Sequence, residues 1–345
     1  MNAIETQPSN GTVLNHGKGN FMGSALIDKI TPKTFRQFAA AAVDFLKINS
    51  IEEKFRHGKP VIIKRRNGAS EQIAESANLF FRLAEIPIRF WSKIEDWQRW
   101  EVDCFQLLNG DHFRAFKVRD NSVCVEKVPG QSLWDHMVES TLSRQMMEAA
   151  ASEFHRAHRL WSKEFHGPWS HADATMQNVM YDEKNGRARL IDFEIIHEKS
   201  LSAAERHADD LGVFLLDLIA KGPPRQWLPL AISFLQAYGD RNVLAKLKKQ
   251  LVVPSGLARI WWNVRTSFAN AAKVKRRIEL LRKAIDTLQV SPTGLTERAR
   301  KTRRPSMICQ VIRPGIPSPN SRTLAISDRA KAASPGMPRR LPTTT

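Results

Sequence analysis

The sequence is short of the features that mark several common protein classes. Its three cysteines, Cys104, Cys124 and Cys309, lie far apart with no CxxC pair, which fits reduced thiols rather than a disulfide framework. No apolar run approaches the roughly 18 residues of a membrane-spanning helix. The start, MNAIETQPSNGTVLNHGKGN, lacks the basic and apolar regions of a secretory signal. There is no HExxH and no Cys/His ligand spacing, so His155, His158, His166 and His171 are expected to be structural rather than zinc ligands. No internal repeat occurs. The expectation is a cytoplasmic protein with enough chain for two packed lobes.

What is abundant is positive charge. The formal net charge is +18, and residues 291–345 hold half of it, eleven Lys/Arg against two acidic residues. A basic chain attracts anions. Here the strongest field lies in a Pro-, Ser- and Arg-rich stretch without periodicity, so 290–345 reads as a disordered basic tail. Nucleic acid is therefore disfavoured as the main partner. Residues 1–24 read as a disordered polar N-terminus.

Between these ends the pattern is α+β. A helix is expected over 31–48, with Thr31 as N-cap and Pro32 in the first turn. FRHGKPVIIKRR reads as strand, His57-Gly58-Lys59 turn, strand. Helical spacing follows over 70–86 and 92–109, the second carrying Trp97, Trp100, Cys104 and Leu107. Strand signals return at 113–118 and 122–127, and Pro129-Gly130 breaks the chain before a helix from Ser132. Residues 141–160, 203–221, 225–239 and 257–288 read as helices. The exception is a hairpin, NVMYD and ARLIDF, turning at Asn185-Gly186.

That hairpin brings three polar residues together. Asp173 and Asn178 precede its first strand, and Asp192 directly follows the apolar pair Leu190-Ile191. Folding at Asn185-Gly186 places all three at one edge, a set of oxygen donors suited to a hard cation such as Mg²⁺. Taken singly, each is an ordinary turn residue.

The order of motifs along the chain resembles the protein-kinase-like superfamily. His171-Ala172-Asp173-Ala174-Thr175-Met176-Gln177-Asn178 is similar to its H-x-D-x-x-x-x-N catalytic loop, and Asp192-Phe193-Glu194 stands where that superfamily has D-F-G. Val61-Ile62-Ile63-Lys64 resembles the strand whose lysine steadies the ATP phosphates. Glu126-Lys127-Val128-Pro129-Gly130 resembles the hinge of aminoglycoside phosphotransferases, and His207-Ala208-Asp209-Asp210-Leu211 the helix whose aspartate braces the catalytic loop. The texture is that of the atypical bacterial branch, RIO-like and lipopolysaccharide Kdo-kinase-like.

The resemblance implies a bilobal fold, with an N-lobe over 25–128 and a mainly helical C-lobe over 129–289. It also implies ATP and Mg²⁺ as cofactors. Asp173 would accept the proton of an attacking hydroxyl, and Asn178 and Asp192 would hold metal. Lys64, Glu126 and Val128 would meet the nucleotide. His171 and Asp210 would give structural support, Asp210 being favoured over Asp209 for the bracing role. Among Glu71, Glu75, Glu85 and Glu101 as the partner of Lys64, Glu101 is favoured, because WEVDCFQLLNGD resembles the corresponding helix. Helix content between 70 and 100 would then be an insertion.

Departures from the family matter too. No glycine-rich loop precedes Lys64 at the usual distance, since Gly17-Lys18-Gly19 sits over forty residues upstream. Phosphate grip would then fall to Lys64, Arg65 and Arg66, although Arg65 and Arg66 read more simply as surface charge. Glu194 replaces a glycine. Asp209 follows Asp192 by only 17 positions, without an A-P-E motif between them, which leaves little platform for an extended peptide. The acceptor is open between a sugar, a glycolipid and an unusual protein. The basic helix AAKVKRRIELLRKAI could also meet an anionic membrane surface. A pseudokinase scaffold is the rival reading.

Overall fold

The computed structural model describes residues 49–118 and 121–290, which belong to one compact unit. The helix expected at 31–48, the polar start and the basic segment after 290 lie outside the described residues.

β1 (Asn49–Arg56) and β2 (Lys59–Arg66) form a hairpin in which Arg56 pairs with Lys59. Both turn residues, His57 (φ 50°) and Gly58 (φ 76°), take the left-handed conformation that matches strand twist in a two-residue turn. After α1 (Ser70–Leu83), β3 (Ile88–Phe90) and α2 (Ile94–Asn109), the chain adds β4 (Ala115–Val118) and β5 (Ser122–Glu126). The antiparallel sheet runs β1-β2-β5-β4. One face carries α2, whose Trp97, Trp100, Cys104, Phe105 and Leu108 are buried at helical spacing.

Past the connection at 127–130, the chain forms β6 (Gln131–Ser132), α3 (Leu133–Val138) and α4 (Arg144–Ala157). The short strands β7 (Trp161–Ser162) and β8 (Gly167–Pro168) come next. A 3₁₀ turn over Met176–Asn178 then leads into the hairpin β9 (Val179–Asp182) and β10 (Arg187–Leu190). β11 (Ile195–His197) pairs back with β3. Five helices complete the unit: α5 (Ala203–Lys221), α6 (Trp227–Tyr238), α7 (Arg241–Gln250), α8 (Ala258–Arg265) and α9 (Ala271–Val290). A Ser202/Glu205 capping box starts α5. Phe154, Phe214 and Phe234 pack ring to ring among α4, α5 and α6.

The architecture is therefore α+β, with a small N-terminal antiparallel sheet and a mainly helical C-terminal part. One hydrophobic core runs from α2 and β5 through the hairpin to α9. A smaller cluster joins Phe81 of α1 and Ile88 and Phe90 of β3 to Ala172 and Ile195. The 70–90 segment thus packs directly on the loop before Asp173.

Three sequence expectations are corrected. The stretch 257–288 is two helices, because Ser267 (φ 47°) and Phe268 (φ 54°) turn the chain between α8 and α9. Arg66 is not surface charge. It is 2% exposed, donates to Trp91 O at 2.5 Å and lies over the Trp97 ring. Arg277 leaves the basic face of α9, donating to Ile219 O and Gly222 O at 3.0 and 2.9 Å.

Candidate active site

The alternation of β2 turns Lys64 inward toward α2, where it is 5% exposed. Its Nζ lies 2.5 Å from Glu101 Oε1 and 2.5 Å from Asp192 Oδ1. Burial pulls the lysine pKa down, but Asp192 and then Glu101 outweigh it, and the net direction is up. The same contact reverses the burial effect on Asp192, whose pKa is lowered. Glu101 uses its second oxygen to accept from Phe193 N at 2.9 Å. It thereby fixes the strand lysine and the Asp192-Phe193 turn together. Glu71 instead accepts from Ile94 N at the start of α2.

Asp192 reaches this point because the hairpin ladder continues past β10. Ile191 N donates to Asn178 O at 3.0 Å, and the chain then turns at Asp192 (φ 68°). His171 locks the same junction. Its Nε2 donates to Ile191 O at 2.9 Å, Nδ1 accepts from Asp173 N at 3.3 Å, and the ring packs on Phe193 at 5.2 Å.

Beneath the loop sits Asp210, wholly buried on α5. It accepts from His171 N at 2.8 Å, from Ala172 N at 2.7 Å and from His158 Nε2 at 3.0 Å. Burial alone would raise its pKa; the hydrogen bond from His158 and the neighbouring histidines bring it well below the usual carboxylate range. Asp209 faces His197 instead, at 3.1 Å, so of the two aspartates Asp210 holds the loop.

Two contributors escaped the sequence reading. Asp217, two turns along α5, accepts from Met176 N at 2.8 Å, and burial lifts its pKa to about 6. Its signal was present: it lies on the same helical face as Asp210, seven residues on. Arg265 of α8 lies 3.1 Å from Asp173 Oδ1, close enough for an ion pair though not aligned as a hydrogen bond. It also donates to Ala172 O at 3.2 Å. Nothing in its local sequence marks it. Burial raises the Asp173 pKa, with Arg265 and His171 opposing.

Asn178 donates from Nδ2 to Asp173 O at 2.8 Å, which leaves its Oδ1 for a cation. One carboxylate and one amide oxygen suit Mg²⁺, which keeps water and phosphate in most of its coordination positions. No cluster of three or more His, Cys, Asp or Glu poised for a metal occurs among the described residues. Glu194 accepts from Asn49, the first residue of β1. Burial and then Asp192 push its pKa up to about 8.

Beside Lys64, Glu101 and Asp192 opens a cavity of about 150 Å³ lined by Ile62, Phe105, Val125, Val128, Met180 and Ile191. Its rim is the connection after β5. The Glu126 carboxylate points to Lys59 at 3.0 Å and accepts from Arg114 N, so its side chain is committed outside the cavity. Lys127 N donates to Pro60 O. Gly130 (φ 98°) passes so close to β9 that a Cβ would stand 1.9 Å from Tyr181 O, which explains the glycine. A second cavity, of about 210 Å³, is lined by Arg265 together with Ile88, Val213, Leu216, Leu247 and Trp261.

No family model matches this chain, and no curated protein does. Among solved structures it is similar to the complex of Rv3197 with erythromycin from Mycobacterium tuberculosis. Identity is 14% over 70% of this chain and 71% of that one, with a TM-score of 0.33. That likeness is too slight to carry a function across.

Proposed function

We propose that the protein is an ATP- and Mg²⁺-dependent phosphotransferase that phosphorylates a hydroxyl of a sugar, glycolipid or protein. The observation that carries this reading is the convergence of Lys64, Glu101 and Asp192 with Asp173 and Asn178 beside an apolar cavity. Five residues from four separate segments meet where a nucleotide's base and its phosphates need opposite environments.

In this reading the apolar cavity takes the adenine, with the backbone of 126–128 at its edge. Lys64, held charged by its two carboxylates, exchanges Asp192 for phosphate oxygens. Glu101 keeps it in place. Asn178 and Asp192 would hold Mg²⁺, which when bound supplies neutralisation of the phosphate charge. Asp173 accepts the proton of the acceptor hydroxyl as that oxygen forms its bond to the γ-phosphorus and ADP leaves. Most of the rate then comes from positioning and electrostatics.

The test needs no acceptor. Mg²⁺-ATP at about 100 times its dissociation constant should stabilise the wild type by roughly 2.7 kcal/mol. The shift should require Mg²⁺ and be lost in Asp192→Ala. If millimolar nucleotide leaves the melting temperature of both proteins unmoved, the reading fails. The direct Lys64–Asp192 contact, in a site with Glu194 for glycine, favours the second reading, a pseudokinase scaffold. It predicts partner binding without phosphoryl transfer.

A further inference from the structure

The loop that presents Asp173 is held from below and from the side. Asp210 takes the N–H groups of His171 and Ala172, Asp217 takes that of Met176, and Asn178 takes the carbonyl of Asp173. None of these fixes the Asp173 carboxylate itself. Asn178 Nδ2 reaches Asp173 Oδ2 only at 3.4 Å, a long contact for a hydrogen bond. Without a further partner the carboxylate would be free to rotate about its own side-chain bonds.

Arg265 fills that role. One guanidinium nitrogen stands 3.1 Å from Asp173 Oδ1, and the other donates to Ala172 O at 3.2 Å. Ala172 is strained in the left-handed region (φ 69°). It is gripped at both ends, its N–H by Asp210 and its carbonyl by Arg265. The planar fork bonds the Ala172 carbonyl with one nitrogen and sets another, as an ion pair, against the next residue's carboxylate, a span that a single ammonium does not cover. The fork is itself held. Its plane lies over the Trp261 ring at 4.9 Å, and Trp261 meets Phe81 edge-on at 5.1 Å. Arg265 is therefore braced by its own helix and by α1, with its side chain 10% exposed.

We infer that Arg265 is the positioning residue of the phosphotransfer site, holding the Asp173 carboxylate in the direction from which it meets the acceptor hydroxyl. The inference rests on the phosphotransferase reading above. It assigns a role in turnover to an arginine more than 70 residues beyond Asp192, outside the motifs that suggested the reading. Arg265 touches neither the cavity beside Lys64 nor Lys64 itself, so nucleotide binding does not depend on it. Its effect falls on the transfer step alone.

The experiment is Mg²⁺-dependent ADP release with water as acceptor, comparing wild type, Arg265→Ala and Arg265→Lys, with Asp173→Asn as the reference for loss of the carboxylate. Arg265→Ala should lower kcat about a hundredfold, the scale of a roughly 1 Å misplacement, with KM for ATP changed less than about twofold. Millimolar guanidinium should restore a large part of that kcat and leave Asp173→Asn unmoved. Arg265→Lys, which keeps charge and most of the packing, should fall between the two and covers the case in which the alanine variant does not fold. A wild-type kcat in Arg265→Lys, or a folded, fully active Arg265→Ala, would overturn the inference while leaving the phosphotransferase reading intact. So would a loss that guanidinium fails to rescue and that appears equally in KM, since a general structural role would look that way. A wild type that releases no ADP overturns the site reading, and the inference falls with it.

Discussion

At the scale of single residues, the site is a set of charges that would be costly to bury alone. Lys64 and Glu101 are both nearly inaccessible, and each is tolerable only because the other is there. Asp210 is the clearest case: a wholly buried carboxylate with two backbone N–H groups and a histidine on its oxygens. Asp210→Ala leaves those donors without an acceptor and should destabilise the protein by about 3–5 kcal/mol, read from urea unfolding. A change below about 1 kcal/mol would mean that water replaces the carboxylate and that the loop does not depend on it. Most of these residues were legible in the sequence, because the 171–178 loop and the aspartate that braces it are short motifs at recognisable spacing. Arg265 was not, because its role depends on where α8 lands.

At the scale of elements, the helical part is tied together by side chains that close helix ends. Arg277 of α9 donates to Ile219 O in the last turn of α5 and to O of the capping Gly222, and lies over the Trp227 ring at 4.9 Å. Carbonyls at a helix C-terminus lack intrahelical partners and favour a cation. Arg277→Ala should therefore cost about 1.5–3 kcal/mol, the range for hydrogen bonds to a charged group. Unchanged denaturant midpoints would show that the arginine is dispensable. The same burial changes the membrane expectation. Val274, Ile278, Leu281 and Ile285 are spent on the core, so an anionic surface could meet α9 only through its remaining exposed Lys and Arg. Between α8 and α9 the sequence offered no break. Ser267 and Phe268 carry the turn without glycine or proline, and Thr266 bonds back to Trp262 O. β3 and β11 were also missed, since three-residue strands leave no alternation to read.

At the scale of the whole molecule, buried titratable groups with opposed shifts shape the response to pH. Burial and then Asp192 raise the Glu194 pKa to about 8. The folded protein therefore takes up this proton before the unfolded chain does, and stability rises as pH falls from about 8 toward neutrality. Burial and then His158 lower the His207 pKa to about 3, and burial lowers that of His158. Their unfolded forms bind protons from about 6.5 downward while the folded forms stay neutral, which removes stability on acidification. Asp217, at about 6, opposes this until its unfolded value of 3.8 is passed. Asp210, with its depressed pKa, then adds to the loss. Unfolding free energy should thus peak between about pH 4 and 6.5 and fall steeply below. In Glu194→Gln the limb between pH 8 and 6.5 should flatten. A stability that climbs steadily from pH 6 to 8 would contradict these assignments.

The sequence by itself determined the α+β composition, the order of motifs and the hairpin that gathers Asp173, Asn178 and Asp192. These are local patterns, and each is written in consecutive or periodic residues. The tertiary structure alone decided that Arg66 and Arg277 are internal and that Arg265 reaches Asp173. In each of those cases the answer depends on which way a side chain faces once distant helices pack. Packing direction is a property of the assembled core, with no counterpart in the residues on either side.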